Sequence, residues 1–337
     1  MRKFGILGAT ALVLSLGGAT IASAGDDPIK WTLSYLTLNG TIYQEAALEI
    51  PERIAKATDG KLQITANSSL VAGNRLLEGV RDGIVQVSMP LPAYYTGSQP
   101  LLTIPSLPGI SENYDNLKAL SASPYGQQVR DLYSNSYNAT EMMHTAFCPQ
   151  TVFSTKPMAT LEQWNGLKIR VNNRGTALIG AELGATTVSL SAGEVLPALE
   201  RGVIDGVITD SCWAHGAGFQ SVIKHAANWK LGSVLPAPVL VNKDAWAALP
   251  QDVKDKAAAE FKAIEQEFEV RWRKRADELP AMWKAAGVEF AEITPEQNKL
   301  IYAERFEKPV LDAWREDMKR VNLDAEAVLA TARAAVK

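Results

Sequence analysis

The chain has 337 residues, 47% of them hydrophobic, and a formal charge of −3 at neutral pH. No stretch gathers Lys and Arg on a motif that grips nucleic acid, so nucleic acid is excluded as a natural partner. The length exceeds what one hydrophobic core usually serves and argues for two lobes of roughly 150 residues each.

The chain opens with Arg2 and Lys3, an uncharged run from Phe4 to Ala19, and the small-x-small pattern Ala22-Ser23-Ala24. Together these predict a secretory signal peptide over 1–24, with the mature chain starting near Gly25. The run is too short and Gly-rich for a permanent span of ~20 apolar residues, and no Cys near the cleavage site offers a lipid anchor. The mature protein is therefore expected to be soluble, in the periplasm.

Trp31 to Leu36 reads as a first strand, followed by the turn Leu38-Asn39-Gly40-Thr41 and a helix from about Tyr43 to Thr58. Asp59-Gly60 stops the helix, and Leu62 to Thr65 alternates as a second strand. A helix over Asn74 to Asp82 and a strand over Ile84 to Met89 follow, and this alternation predicts α/β layers with largely parallel sheets. One unit recurs. Ala72-Gly73, a helix ending at Gly83 and the strand Ile84 to Val87 resemble Ala192-Gly193, a helix ending at Gly202 and the strand Val203 to Val207. Glycine at a helix end suits a cap with positive φ.

The longest helical pattern spans about 250–286, with Val253, Ala257, Phe261, Ile264, Phe268 and Trp272 on one face; Pro280 is expected to kink or interrupt it. Helices of some 30 residues reach about 45 Å, enough to run along both lobes. Thr294 to Ala335 is again helical and charged. No low-complexity linker occurs, so short crossing segments near 147–149 and 235–237 are expected to join the lobes as a hinge.

In the strand Leu167 to Val171, Leu167, Ile169 and Val171 share one face and Arg170 points the other way. A guanidinium matches a carboxylate with two parallel hydrogen bonds, so Arg170 is either an acid clamp or an exposed strand residue. Cys148 and Cys212, the only cysteines, are either a disulfide or two small buried residues. Catalytic patterns are thin. His144, His215 and His225 are not spaced as a zinc pair, no nucleophile elbow or phosphate loop occurs, and Cys212 with His215 is the single weak nucleophile-and-base candidate. No cofactor or metal is expected.

From Trp31 to about Trp314 the chain resembles the periplasmic solute-binding proteins of TRAP (tripartite ATP-independent periplasmic) transporters, of the dicarboxylate-binding type. The likeness is carried by Leu70-Val71-Ala72-Gly73-Asn74-Arg75, by Thr103-Ile104-Pro105-Ser106-Leu107 and above all by Leu167 to Val207, where Arg170, Gly184, Glu194, Gly202 and Asp205-Gly206 fall at the family's positions. Val241-Asn242-Lys243-Asp244-Ala245-Trp246 then matches the segment before its long helix. The resemblance implies an α/β, two-lobed periplasmic binding protein fold with a long helix spanning both lobes, a cleft that closes on a small organic acid, and Arg170 as the carboxylate's partner. It also implies delivery to a small and a large integral membrane subunit, by a receptor that is a monomer and not an enzyme. A ligand-sensing subunit or an enzyme acting on an organic acid are the competing functions. The implied lobes are 28–147 plus about 237–262, and 148–236 plus about 280–320.

Two departures bear on the ligand. Gln150 stands where sialic-acid-type members carry a second Arg, and Thr209 stands where many members carry Asn. Trp213 and Tyr94, beside Tyr95, are expected as flat walls; Asn39 and Asn74 on the first lobe and Asn173 on the second are expected as further contacts, with capping or turn roles as the alternative. One guanidinium and a neutral amide predict a monocarboxylate over a short dicarboxylate, unless Arg75, Arg174 or Lys168 reaches the cleft.

Overall fold

The computed structural model describes residues 27–231 and 234–337; the signal-peptide expectation lies outside the described residues. Two mixed sheets, flanked by helices, form the two lobes. The first lobe begins with β1 (Ile29–Ser34), which feeds through the Thr41 cap into α1 (Ile42–Ala57). Thr41 accepts a hydrogen bond from the Gln44 N–H, the usual remedy for an orphan donor at a helix start. β2 (Leu62–Asn67), α2 (Leu76–Arg81) and a two-residue β3 (Val87–Ser88) follow. After α3 (Tyr114–Ala122) and α4 (Pro124–Tyr137), β4 (Ala139–Ala146) leads out of the lobe.

The second lobe is built from β5 (Gln150–Ser154), β6 (Lys168–Val171), α5 (Arg174–Glu182), β7 (Thr186–Ser189), α6 (Ala192–Glu200), β8 (Gly206–Asp210), α7 (Ser211–Gly216) and β9 (His225–Ala227). The chain then returns to the first sheet through β10 (Pro236–Asn242), passes α8 (Lys243–Ala247) and enters α9 (Gln251–Ala285). β11 (Glu289–Ala291), α10 (Pro295–Ile301), α11 (Glu304–Arg320) and α12 (Ala325–Ala335) complete it. No described helix is long and apolar enough to cross a membrane.

The sheet orders are β2-β1-β3-β10-β4 and β11-β9-β5-β8-β6-β7. Set side by side they reveal the repeat seen in the sequence. β1 lies parallel to β2 and β3, as β6 lies parallel to β7 and β8; β10 runs antiparallel to β3, as β5 does to β8. In both copies the helix ends on a left-handed glycine, Gly83 at φ 69° and Gly202 at φ 65°, before turning into a central strand. The sheets are less parallel than the alternation predicts. The reason is the crossover: β4 leaves the first lobe and β10 re-enters it in the opposite direction, so the two pair antiparallel, and β5 likewise enters against β8 and β9.

α9 runs 35 residues, about 52 Å at 1.5 Å per residue, and continues through Pro280 without a break. Its grip on both sides of that proline explains the continuity. Toward the first lobe, Arg53 pairs with Glu260 and Glu267, and Arg275 with Glu45. At the crossing segment Trp272 donates its indole N–H to Phe147 O (3.0 Å), and beyond Pro280 the buried Trp283 donates to Ser211 Oγ (2.9 Å) in the second lobe. The exposed ion pairs contribute little individually. The buried indoles, with Phe261, Ile264, Phe268 and Leu279, hold the helix in the largest core cluster, which spans both lobes.

Candidate ligand site between the lobes

A small cavity lies where the two lobes meet the crossing segments. Leu38, Leu91 and Tyr94 line it from the first lobe, and Phe147 and Leu235 from the crossing segments. The second lobe supplies its polar side: Gln150 from the start of β5, Arg170 and Asn172 from the end of β6, and Thr209, Asp210 and Trp213 from the junction of β8 and α7. Register brings these together. Gln150 pairs with Asp210, Thr151 with Thr209, and Arg170 with Val207, so the carboxyl ends of two parallel strands open side by side, the usual ligand position in such sheets.

Arg170 is only 4% exposed. Its Nε and Nη2 both donate to Leu190 O, at 3.1 and 3.0 Å, and among the described residues it has no carboxylate partner. Burial depresses its pKa, an effect the nearby Tyr94 opposes. The result is a desolvated cation on the wall of a cavity, short of one negative charge. Arg174 is committed to Asp317 at 2.9 Å, and Arg75 and Lys168 are exposed away from the lining, so none of the three cations left open by the sequence reaches the site.

Gln150, also buried, accepts a hydrogen bond at Oε1 from Asn172 Nδ2 (3.2 Å), which leaves its amide N–H groups as what it can offer. Asn172 is in turn held by Asn173, whose Nδ2 donates to Asn172 Oδ1 at 2.9 Å. Asn173 itself does not line the cavity. Its Oδ1 caps α5 by accepting from the Thr176 N–H, and it borders a separate cavity beside α11. The two first-lobe asparagines are also elsewhere: Asn39 is exposed with Oδ1 bound to Gln44 Nε2, and Asn74 is exposed in a 3-10 turn. Loop asparagines carry turn and cap signals strongly, and Asn173 takes the cap alternative.

Thr209 and Trp213 line the site as the sequence suggests, Trp213 standing edge-on to Phe219. The tyrosine pair separates, with Tyr94 at the cavity and Tyr95 in the core, where its hydroxyl accepts from Leu77 N. Asn172 and Asp210 are lining residues that sequence reasoning missed. The spacing of Asp210 three residues before Trp213 is a helix-cap signal, and the cap is present, with Oδ1 accepting from Trp213 N at 2.7 Å. Its other oxygen is buried without a partner, and burial pushes the carboxyl up to about 7 against the pull of the Trp213, Cys148 and Cys212 N–H groups and of Arg275.

Cys148 and Cys212 form a disulfide, which ties the first crossing segment to the start of α7. That removes Cys212 as a nucleophile. His215, its supposed base, stands edge-on to Trp283 at 5.3 Å.

Residues 33–320 match the family described as bacterial extracellular solute-binding protein, family 7. Over 98% of this chain and 96% of the other, the sequence is 28% identical to the C4-dicarboxylate-binding periplasmic protein DctP of Rhodobacter capsulatus. Two solved structures of Bordetella pertussis extracytoplasmic solute receptors that bind pyroglutamic acid, DctP6 and DctP7, superpose with TM-scores of 0.80 and 0.79 at 20% identity; each comparison covers 90% of this chain and 99% of the other. A match across both lobes, together with the two-lobed α/β fold, shows that the chain belongs to the bacterial extracellular solute-binding proteins of family 7, the dicarboxylate-type solute-binding family of TRAP transporters.

Proposed function

We propose that this receptor works in the periplasm, closes its two lobes on a small monocarboxylate held by Arg170, and hands it as a monomer to the small and large membrane subunits of a TRAP transporter. The observation that carries the reading is the buried guanidinium of Arg170, placed on the cavity wall with a backbone carbonyl and no carboxylate for company. A buried cation is costly unless paired, and an incoming carboxylate supplies the pair with bidentate geometry. Gln150 and Thr209 add neutral polar contacts, while Tyr94, Trp213, Leu38 and Leu91 enclose the rest of the acid.

Relatives point in two directions. The Rhodobacter relative is named for C4-dicarboxylates, and the Bordetella receptors bind pyroglutamic acid, which has one carboxyl. The cavity favours the second. Arg170 is the sole cationic side chain among the described lining residues, and Asp210 already places an acidic group there. A second carboxylate of the ligand would be buried without a counter-charge. Titration calorimetry of the mature chain against pyroglutamate, 2-oxobutanoate, succinate and malate tests this. Tight binding of succinate or malate with neglect of both monocarboxylates overturns the monocarboxylate reading, and silence toward all carboxylates overturns the role of Arg170.

A further inference from the structure

Asp210 carries more than its capping role explains. Asp210 lines the ligand cavity, and of its two oxygens Oδ1 is occupied by the Trp213 N–H, whereas Oδ2 is buried with no hydrogen-bond partner among the described residues. Asp210 is 6% exposed, so bulk water does not surround its carboxyl as it would at a surface. We propose that Asp210 binds the ligand as a protonated carboxyl, donating from Oδ2 to a keto, lactam or hydroxyl oxygen of an acid whose carboxylate sits on Arg170. This deepens the carboxylate reading above, on which it rests, and makes Asp210 the residue that selects oxygen-bearing acids over plain aliphatic ones.

Charge and geometry assign the proton. Arg170 and one ligand carboxylate neutralise each other, so an ionised Asp210 would leave a net negative charge in a small cavity with largely apolar walls. With Oδ1 engaged as an acceptor, the proton belongs on Oδ2, where it turns an orphan acceptor into a donor. The Trp213, Cys148 and Cys212 N–H groups favour the ionised form, but burial outweighs them, and the side chains around the carboxyl supply no free charge. Arg170 on β6 is turned to Leu190 O, Arg275 on α9 is engaged by Glu45 and Gly40 O, Gln150 on β5 is neutral, Tyr94 is a phenol, and His215 on α7 packs against Trp283. Burial holds the carboxyl at about 7, so protonation is accessible near neutral pH.

The sign of the pH dependence follows. If only the protonated form binds, affinity is constant below pH 7 and falls as pH rises, by about tenfold between pH 6 and pH 8. The test uses L-pyroglutamate with cyclopentanecarboxylate as its oxygen-free counterpart, and 2-oxobutanoate with butanoate. Calorimetry at pH 6 and pH 8 is run on the wild type and on Asp210→Asn, whose amide can accept from Trp213 with its oxygen and donate with its nitrogen at every pH. The expected result is an oxygen-bearing probe bound at least tenfold more tightly than its counterpart at pH 6, weakening about tenfold by pH 8 in the wild type and hardly at all in Asp210→Asn. Proton uptake on binding at pH 8, read from buffers of different ionisation enthalpy, should vanish in the variant. If wild-type binding strengthens with pH and Asp210→Asn loses affinity at both values, Asp210 is an ionised acceptor and the proposal is wrong. A pH dependence that persists in Asp210→Asn also overturns it. Failure of the wild type to bind any probe at either pH instead removes the carboxylate reading, and this inference with it.

Discussion

Replacing Arg170 separates a ligand clamp from a structural strut, because the two roles predict opposite effects on the empty protein. Arg170→Met retains most of the aliphatic volume and deletes the charge. With ligand, the loss of a buried charge-assisted pair costs ~2–5 kcal/mol, about 30-fold in affinity at the low end. Without ligand, two terms oppose one another. The donors to Leu190 O disappear, worth about 1.5–3 kcal/mol for hydrogen bonds to a charged group, while the desolvation penalty of an unpaired buried cation, several kcal/mol, is relieved. The melting temperature of the empty variant should therefore stay within a few degrees of wild type or rise, while the ligand-induced shift disappears. Arg170→Lys keeps the charge but not the planar fork and should recover affinity only in part. Calorimetry alongside thermal unfolding measures both quantities. A folded Arg170→Met protein with wild-type affinity would refute the clamp. So would a collapse of the empty protein by more than about 10 °C, several kcal/mol at this size, because it would make Arg170 a strut.

A Cβ on Gly216 would stand 2.1 Å from Asn39 O, backbone against backbone across the lobes, so Gly216→Ala should cost about 1–3 kcal/mol of affinity, whereas Gly193→Ala, with open space around its Cβ, should cost none; equal affinities in calorimetry would contradict the contact. Removing the disulfide in a Cys148→Ser/Cys212→Ser variant opens a loop with a sequence separation of 64, expected to lower unfolding free energy in urea by about 4 kcal/mol; an unchanged midpoint would show that the link does not constrain the unfolded chain. For Asp210, raised from the ordinary 3.8 to about 7, the fold holds a proton that the unfolded chain releases, so its stabilising contribution is complete below about pH 4 and lost by about pH 7. Asp210→Asn should accordingly gain stability relative to wild type at pH 8 and not at pH 4, and parallel pH profiles in urea unfolding would refute the shift.

What the sequence disclosed and what it hid follow from the range of the interactions. The Gly83 and Gly202 repeat is local, being a helix cap followed by an apolar strand, and it surfaces as matching strand orders in two sheets. Arg170 was legible because alternation on a four-residue strand turns one side chain away from its neighbours, and the resemblance gave that direction a meaning. β3, by contrast, forms only at Val87–Ser88 rather than over six residues, because its length is set by pairing with β1 and β10, distant in the chain. Antiparallel β5 and β10 were hidden for the same reason. Pro280 misled in the other direction: its local preference is real, but the anchors at Trp272 and Trp283 override it. Asn173 shows the finest resolution lost, since it stands one residue from the lining Asn172, which it holds while capping α5.

Selectivity in the proposed cycle depends on how the two walls differ. Arg170, Gln150, Asn172, Thr209 and Asp210 all belong to the second lobe, so an acid docked on them alone makes the same contacts whether the lobes are apart or together. Such contacts give affinity but cannot favour closure, because only differential contacts shift the equilibrium. The first lobe contributes Leu38, Leu91 and Tyr94, two aliphatic side chains and one phenol. Apart from the Tyr94 phenol near Arg170, closure is therefore driven by the part of the ligand beyond its carboxylate, through apolar burial at about 25 cal/mol per Å². An acid too short to touch Leu38 and Leu91 should bind to the open form and leave it open. The crossing segments transmit the result, for Phe147 N donates to Leu235 O between them, the indole of Trp272 holds Phe147 O, and the disulfide fixes Cys148 to the helix that Asp210 caps. Titrating a series of 2-oxo acids of increasing chain length while following the radius of gyration by X-ray scattering should show compaction setting in only above a threshold length. Full compaction with glyoxylate, which has no chain beyond its carbonyl, would place the closing contacts on the second lobe and defeat this division of roles.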